Sequence, residues 1–240
     1  MIFNPPLIQA KLIKRYKRFL ADVVHPELGE FTVHCPNTGS MKNCWQAGWN
    51  VWLQKSDNLK RKYPYTWVLT ENEKGDLIGI NSALANKLVI EGLQQNKISE
   101  ISNIESIHPE VKYGQENSRI DILVQHIDDT KTYVEVKSVT LLDFLDDDNQ
   151  GLGQFPDAVT TRGQKHVREL MDCVDKGDKA ILFFMVQHSG INIVEIAKDI
   201  DPDYASLIEQ AIEKGVKILA YKAQISVENI ALDQPIPFQL

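Results

Sequence analysis

The chain has 240 residues, 43% hydrophobic and 25% charged, with a net charge of −7, a composition that excludes fibrous or wholly disordered classes and allows one large core or two modest ones. Pro5, Pro6 and five Lys/Arg interrupt the first twenty positions and no apolar run reaches the ~18 residues of a membrane helix, so a soluble, cytoplasmic protein with no membrane association is expected. Cys35, Cys44 and Cys173 are an odd number without C-x-x-C spacing, which signals neither a disulfide framework nor a zinc ribbon.

In chain order, short strands are predicted at Leu7–Ile13, Arg18–Val24, Glu30–Cys35, Val51–Leu53 and Tyr65–Leu69, divided by Pro, Gly and Asn, and together they suggest a small closed barrel. At Asn81–Ser82 the period becomes helical. Leu84, Leu88 and Glu91–Gly92 fit a capped helix that ends at Gly92, which puts a domain boundary near 80, between domains 1–80 and 81–240. Strands at about 119–125 and 132–139, a helix at about 160–176, a strand at 179–187, a helix near 203–214 and a strand at 216–222 follow. This alternation predicts an α/β sheet with the apolar run Ala180–Val186 as its buried central strand.

Period-two alternation puts Val134 and Val136 on one face of their strand and Glu135 and Lys137 together on the other; in the preceding strand Asp121 opposes Ile120, Ile122 and Val124. If the two strands are neighbours, Asp121 faces Glu135. Two close carboxylates repel unless a cation lies between them, and an oxygen-only donor set favours Mg²⁺ or Mn²⁺. A nearby ammonium can position water and offset charge on a phosphodiester transition state. The spacing D-x(13)-E-x-K is the general signature of PD-(D/E)xK nucleases, although an exposed salt bridge across alternate strand positions accounts for the same letters. The helix opening Thr160–Thr161–Arg162–Gly163–Gln164–Lys165–His166 offers Arg162, Lys165 and His166 as phosphate contacts, or is a capped surface turn.

The stretches H-C-P-N-T-G at 34–39, S-D-N-L-K-R-K-Y-P-Y-T-W at 56–67, E-V-K-Y-G at 110–114, S-R-I-D at 118–121, Y-V-E-V-K-S-V-T-L at 133–141 and F-P-D-A-V-T-T-R-G-Q-K-H at 155–166 closely resemble the sugar fermentation stimulation protein A (SfsA) family, nearly end to end. The resemblance implies an N-terminal OB-fold barrel, a C-terminal PD-(D/E)xK nuclease-like α/β domain, DNA binding without marked sequence preference and a regulatory role in sugar (maltose) metabolism. It carries the catalytic pattern onto Asp121, Glu135 and Lys137. Asp121 and Glu135 are the expected metal ligands, and Glu91 is the candidate helical acid that completes the set. The alternative is a non-catalytic DNA-binding regulator that keeps the nuclease shell as a docking surface. The acidic run Asp146–Asp148 is an unexpected feature that either repels phosphate or keeps a loop solvated.

Residues 1–62 carry +6 and the rest of the chain −13; local charge, not net charge, decides where a polyanion lands. OB barrels bind strands with basic grooves and aromatic faces, and this segment interleaves Lys14, Arg15 and Arg18 with Tyr16 and Phe19, and sets Lys60, Arg61 and Lys62 before Tyr63, Tyr65 and Trp67. Asn37 and Thr38, before Gly39, form a loop that offers hydrogen bonds to phosphate or sugar. DNA is the expected partner, and the stacking surfaces by themselves do not separate it from RNA.

Overall fold

The computed structural model describes residues 1–113, 118–145 and 151–240. Asp146–Asp148 and Gly114 of the 110–114 stretch lie outside them.

Strands β1 (Ile8–Tyr16), β2 (Leu20–His25), β3 (Gly29–His34), β4 (Asn50–Lys55) and β5 (Tyr65–Glu71) form a barrel. β1 pairs antiparallel with β2 and β4, β2 with β3 and β4 with β5, and the ring closes where His34 lies parallel to Thr66. Ala10, Leu12, Val23, Val33, Val51, Leu53 and Trp67 fill it. Trp67, grouped by sequence with the exposed aromatics, points inward, and its indole N–H donates to Leu69 O at 3.0 Å. β2 starts two residues later than predicted because Lys17 and Arg18, at φ +49° and +63°, make the β1–β2 turn.

A short strand β6 (Leu77–Gly79) on the barrel's edge leads into helix α1 (Leu84–Gln94). Gly92 lies inside this helix instead of ending it, and a Cβ there would stand 3.0 Å from Leu232 Cδ1, so its small size serves packing. Next come β7 (Ile104–Tyr113), β8 (Ser118–His126), β9 (Lys131–Val139), β10 (Leu141–Leu145), β11 (Gly151–Phe155), α2 (Thr161–Asp175), β12 (Lys179–Val186), β13 (Ile193–Ile196), α3 (Pro202–Lys214), β14 (Lys217–Ile225), β15 (Ile230–Pro235) and β16 (Phe238–Gln239). Six of these strands form a mixed sheet ordered β15-β14-β12-β9-β8-β7, with β12 parallel to both neighbours as its apolar composition predicts. A smaller sheet, β10-β11-β13-β16, had no clear sequence signal because its short strands carry Gly and charged residues in place of alternation.

Alternation along β12 feeds two cores. Ile181, Phe183 and Met185 pack under α1 with Val134 and Val136, while Leu182, Phe184 and Val186 pack under α2 and α3 with Val167, Leu170, Tyr204 and Ile208. Full burial of each such side chain is worth about 1.5–3 kcal/mol. The barrel joins this sheet just beyond the end of β12: Gly79 N donates to Gln187 O at 2.7 Å and Ser189 N to Leu77 O at 2.9 Å.

Candidate functional site

β8 and β9 pair from Gln125↔Lys131 to Ile122↔Val134 and then part. Asp121 and Glu135 are the next residue of each strand at that split. Ile120 packs against the α2–α3 core while Ile122 and Val124 pack under α1, so the predicted shared face breaks at Asp121, where the strand twists as the ladder opens. Asp121 Oδ2 accepts from Val136 N at 2.8 Å and Oδ1 from Asn86 Nδ2 at 2.8 Å. Burial and then the charge of Glu135 raise its carboxyl above the ordinary aspartate range.

Glu135 is 2% exposed, and its Oε1 receives Lys137 Nζ at 2.7 Å and contacts His166 Nδ1. Burial pushes this carboxyl up, but the His166 hydrogen bond and the Lys137 charge outweigh it, and the group is held below the usual glutamate range. Among the described residues Glu135 Oε2 is buried without a hydrogen-bond partner, an arrangement costly enough to call for an occupant. His166 reaches the carboxylate because Thr160 caps α2, its Oγ1 accepting from Gly163 N at 3.0 Å, and Gly163 leaves room for that cap, since a Cβ there would stand 2.8 Å from Thr160 Oγ1. Arg162 Nε then donates to His166 Nε2 at 3.4 Å.

The structure thus brings Asp121, Glu135 and Lys137 together and adds two residues. Asn86, which the sequence reading passed over, is the α1 side chain that meets Asp121. Glu91, the expected helical acid, instead takes the Met1 amino group at 3.2 Å, five residues and about 140° around the helix from Asn86. His166, expected on phosphate, is 6% exposed and engaged with Glu135. Among the described residues no group of three or more His, Cys, Asp or Glu is arranged as a metal site.

The proposed grip residues divide in the same way. Arg15 Nη2 donates to the carbonyls of Arg18, Asn37 and Gly39 at 2.9, 3.0 and 2.9 Å, so it braces the 37–40 loop instead of projecting to a ligand. Lys14 pairs with Asp22 at 3.3 Å, and Arg61 Nη1 donates to Thr66 Oγ1 at 3.1 Å. Thr38, Lys60 and Lys62 are exposed, and Lys62 Nζ lies 5.4 Å from the Tyr63 ring centre. Beside them Phe31, Tyr63 and Tyr65 line an open groove of about 460 Å³, with the Phe31 and Tyr65 rings 5.3 Å apart. Lys165 sits on α2 one residue before His166, and Arg162 is exposed at its start.

Residues 13–80 match the domain family described as SfsA N-terminal OB domain and residues 83–229 that described as sugar fermentation stimulation protein RE domain. A sugar fermentation stimulation protein homolog of Shewanella loihica is 51% identical over 240 residues, 100% of both chains, and that of Pseudoalteromonas translucida is 51% identical over 238 residues, 99% of this chain and 100% of its own. The structure of Pyrococcus furiosus SfsA in complex with Ca²⁺ superposes with a TM-score of 0.86 at 23% identity over 100% of this chain and 98% of that one, a likeness of fold. With two family matches spanning most of its length and full-length relatives at half identity, the chain belongs to the sugar fermentation stimulation protein (SfsA) family.

Proposed function

We propose that this protein binds DNA through the barrel and hydrolyses phosphodiester bonds at Asp121, Glu135 and Lys137 with Mg²⁺ or Mn²⁺. The observation that carries this is the meeting of Asp121 and Glu135 at the β8–β9 split, where the charge of Glu135 adds to burial in pushing up the Asp121 carboxyl and Glu135 Oε2 is buried without a partner among the described residues. The residues suit a hard divalent ion, which Asp121 and Glu135 would hold, and the Ca²⁺ in the Pyrococcus furiosus SfsA structure supports that choice. Such an ion supplies Lewis-acid polarisation of a phosphate oxygen.

The chain's own groups do the positioning. Val136 N and Asn86 fix the Asp121 carboxylate, and His166, steadied by Arg162, fixes Glu135. The Lys137 ammonium offsets negative charge that grows on the phosphate and can orient the attacking water. On the barrel, Lys60 and Lys62 meet phosphates while Phe31, Tyr63 and Tyr65 offer faces on which bases stack. The description of the relatives as sugar fermentation stimulation proteins supports a role of this activity in the control of sugar metabolism.

The test is cleavage and salt-dependent binding measured on one DNA substrate for wild type, Glu135→Ala and Lys137→Ala. Mn²⁺-dependent cleavage is expected in wild type and at least a hundredfold less in either variant, with affinity changed less than about tenfold, or roughly 1.4 kcal/mol. Binding unchanged by EDTA with no cleavage above that of Glu135→Ala would replace the nuclease reading with that of a non-catalytic binder. Joint loss of Lys60, Arg61 and Lys62 should flatten the salt slope, which runs at about 0.9 per phosphate neutralised on a duplex.

A further inference from the structure

Beside the carboxylate site lies a cavity of about 220 Å³ between the barrel and the α/β domain. Its location follows from two neighbours. Ser82, on its wall, lies four residues before the Asn86 that holds Asp121, and Ser138, also on its wall, follows Lys137 in the chain. The barrel's share is the Asn37–Gly39 loop that Arg15 braces, tied to the far wall by Ser40 Oγ donating to Asp157 Oδ2 at 2.6 Å.

The lining is rich in hydrogen-bonding groups and, among the described residues, contains no Lys or Arg. Asn37 spends its Oδ1 on Gly39 N at 2.8 Å, which leaves its amide N–H groups to offer a ligand. Ser138 Oγ accepts from Gln187 Nε2 at 2.8 Å, which leaves its hydroxyl hydrogen to donate, and Gln154 uses Nε2 on Glu195 at 3.2 Å, which leaves Oε1 to accept. A lining that mixes donors and acceptors, includes the Asp157 carboxylate and lacks a cation disfavours phosphate and suits the edge of a neutral heterocycle. The volume falls below the roughly 300–1,000 Å³ of drug-sized sites, so the cavity is sized for one small ring system.

We propose that this cavity receives a single nucleobase of the bound strand, at a strand end or turned out of its stack, and so sets which phosphodiester enters the carboxylate site. This rests on the nucleic-acid reading above. Extruding a base costs a few kcal/mol in a duplex and least at ends and unpaired positions, so the protein acts on strand ends or single-stranded stretches ahead of continuous duplex.

The experiment uses the full chain in EDTA, where cleavage does not intervene. Binding is measured to single-stranded oligonucleotides with natural ends, to the same strands with an abasic residue at either end or in the middle, and to free deoxynucleoside monophosphates. Wild type is expected to lose about tenfold in affinity at one abasic position. Thr140 also lines the cavity, and Thr140→Val, nearly isosteric, and Gln154→Leu are each expected to erase most of that difference while leaving the salt slope unchanged. Strands that bind in a salt-dependent way with no abasic penalty, or a penalty that survives both variants, would overturn the base pocket and leave the proposed function standing. Tight binding of free monophosphates with no abasic penalty in strands would reassign the cavity to a free nucleotide and likewise overturn it. Failure of every strand to bind would remove the nucleic-acid reading itself.

Discussion

Asn86 shows how much one side chain can decide. Sequence periodicity placed a helix at 83–92 and offered Glu91 as its acid, but only the rotation of α1 against the sheet determines which residue meets Asp121, and that residue is a neutral amide donating at 2.8 Å. Converting it tests the electrostatics of the split directly. Asn86→Asp should remove a hydrogen bond and place a third carboxylate beside two that already repel, costing about 1–2 kcal/mol of stability in EDTA. Mn²⁺ should raise the thermal midpoint of the variant more than that of wild type. Equal metal-induced shifts in the two proteins would place the ion away from Asp121.

At the scale of elements, the position of His166 depends on two helix starts that share one buried carboxylate. Asp201, 1% exposed, caps α3 through Tyr204 N at 2.9 Å, accepts Gln164 Nε2 at 2.9 Å and takes Thr160 N, the capping residue of α2, at 2.8 Å. Pro202 at the first turn and Gly215 at φ +104° bound α3, close to the helix predicted near 203–214, but nothing in the letters tied it to α2. Asp201→Ala strands three donors and should cost about 2–4 kcal/mol, read as a shift in the urea midpoint with an unchanged m value. Asp201→Asn, which keeps one acceptor oxygen, should recover part of the loss. A variant as stable as wild type would show that the two helix starts hold independently.

For the whole molecule, the seam between barrel and sheet runs through residues 187–190. His188 bridges to Ile78 of β6, is 1% exposed, and its Nδ1 accepts from Gly190 N at 3.0 Å, a role only the neutral ring can fill. Burial, which outweighs the nearby Asp76 and is reinforced by Lys222, lowers its pKa to about 4 from the 6.5 of a free histidine. The unfolded chain therefore binds the proton more readily between these values, so stability is complete above pH 6.5 and is lost as the pH falls toward 4. At pH 5 this single group should cost about 2 kcal/mol relative to pH 7. Urea midpoints at both pH values should show that loss in wild type and a smaller one in His188→Gln; equal losses would assign the acid sensitivity elsewhere.

Local pattern alone was enough to identify the barrel strands, the buried run at 180–186, the three helices and the alternation that sets Glu135 beside Lys137, because periodicity and turn chemistry act over a few residues. The family motifs added the pairing of an OB barrel with an α/β domain. Contacts between distant segments depended on tertiary packing: Asn86 in place of Glu91 against Asp121, His166 drawn onto Glu135, Arg15 turned inward to brace the 37–40 loop, and Trp67 sunk in the barrel. Each of these depends on how one element is rotated and docked against another. That rotation is set by the combined burial of many apolar side chains across the sheet, a sum no short stretch of sequence contains.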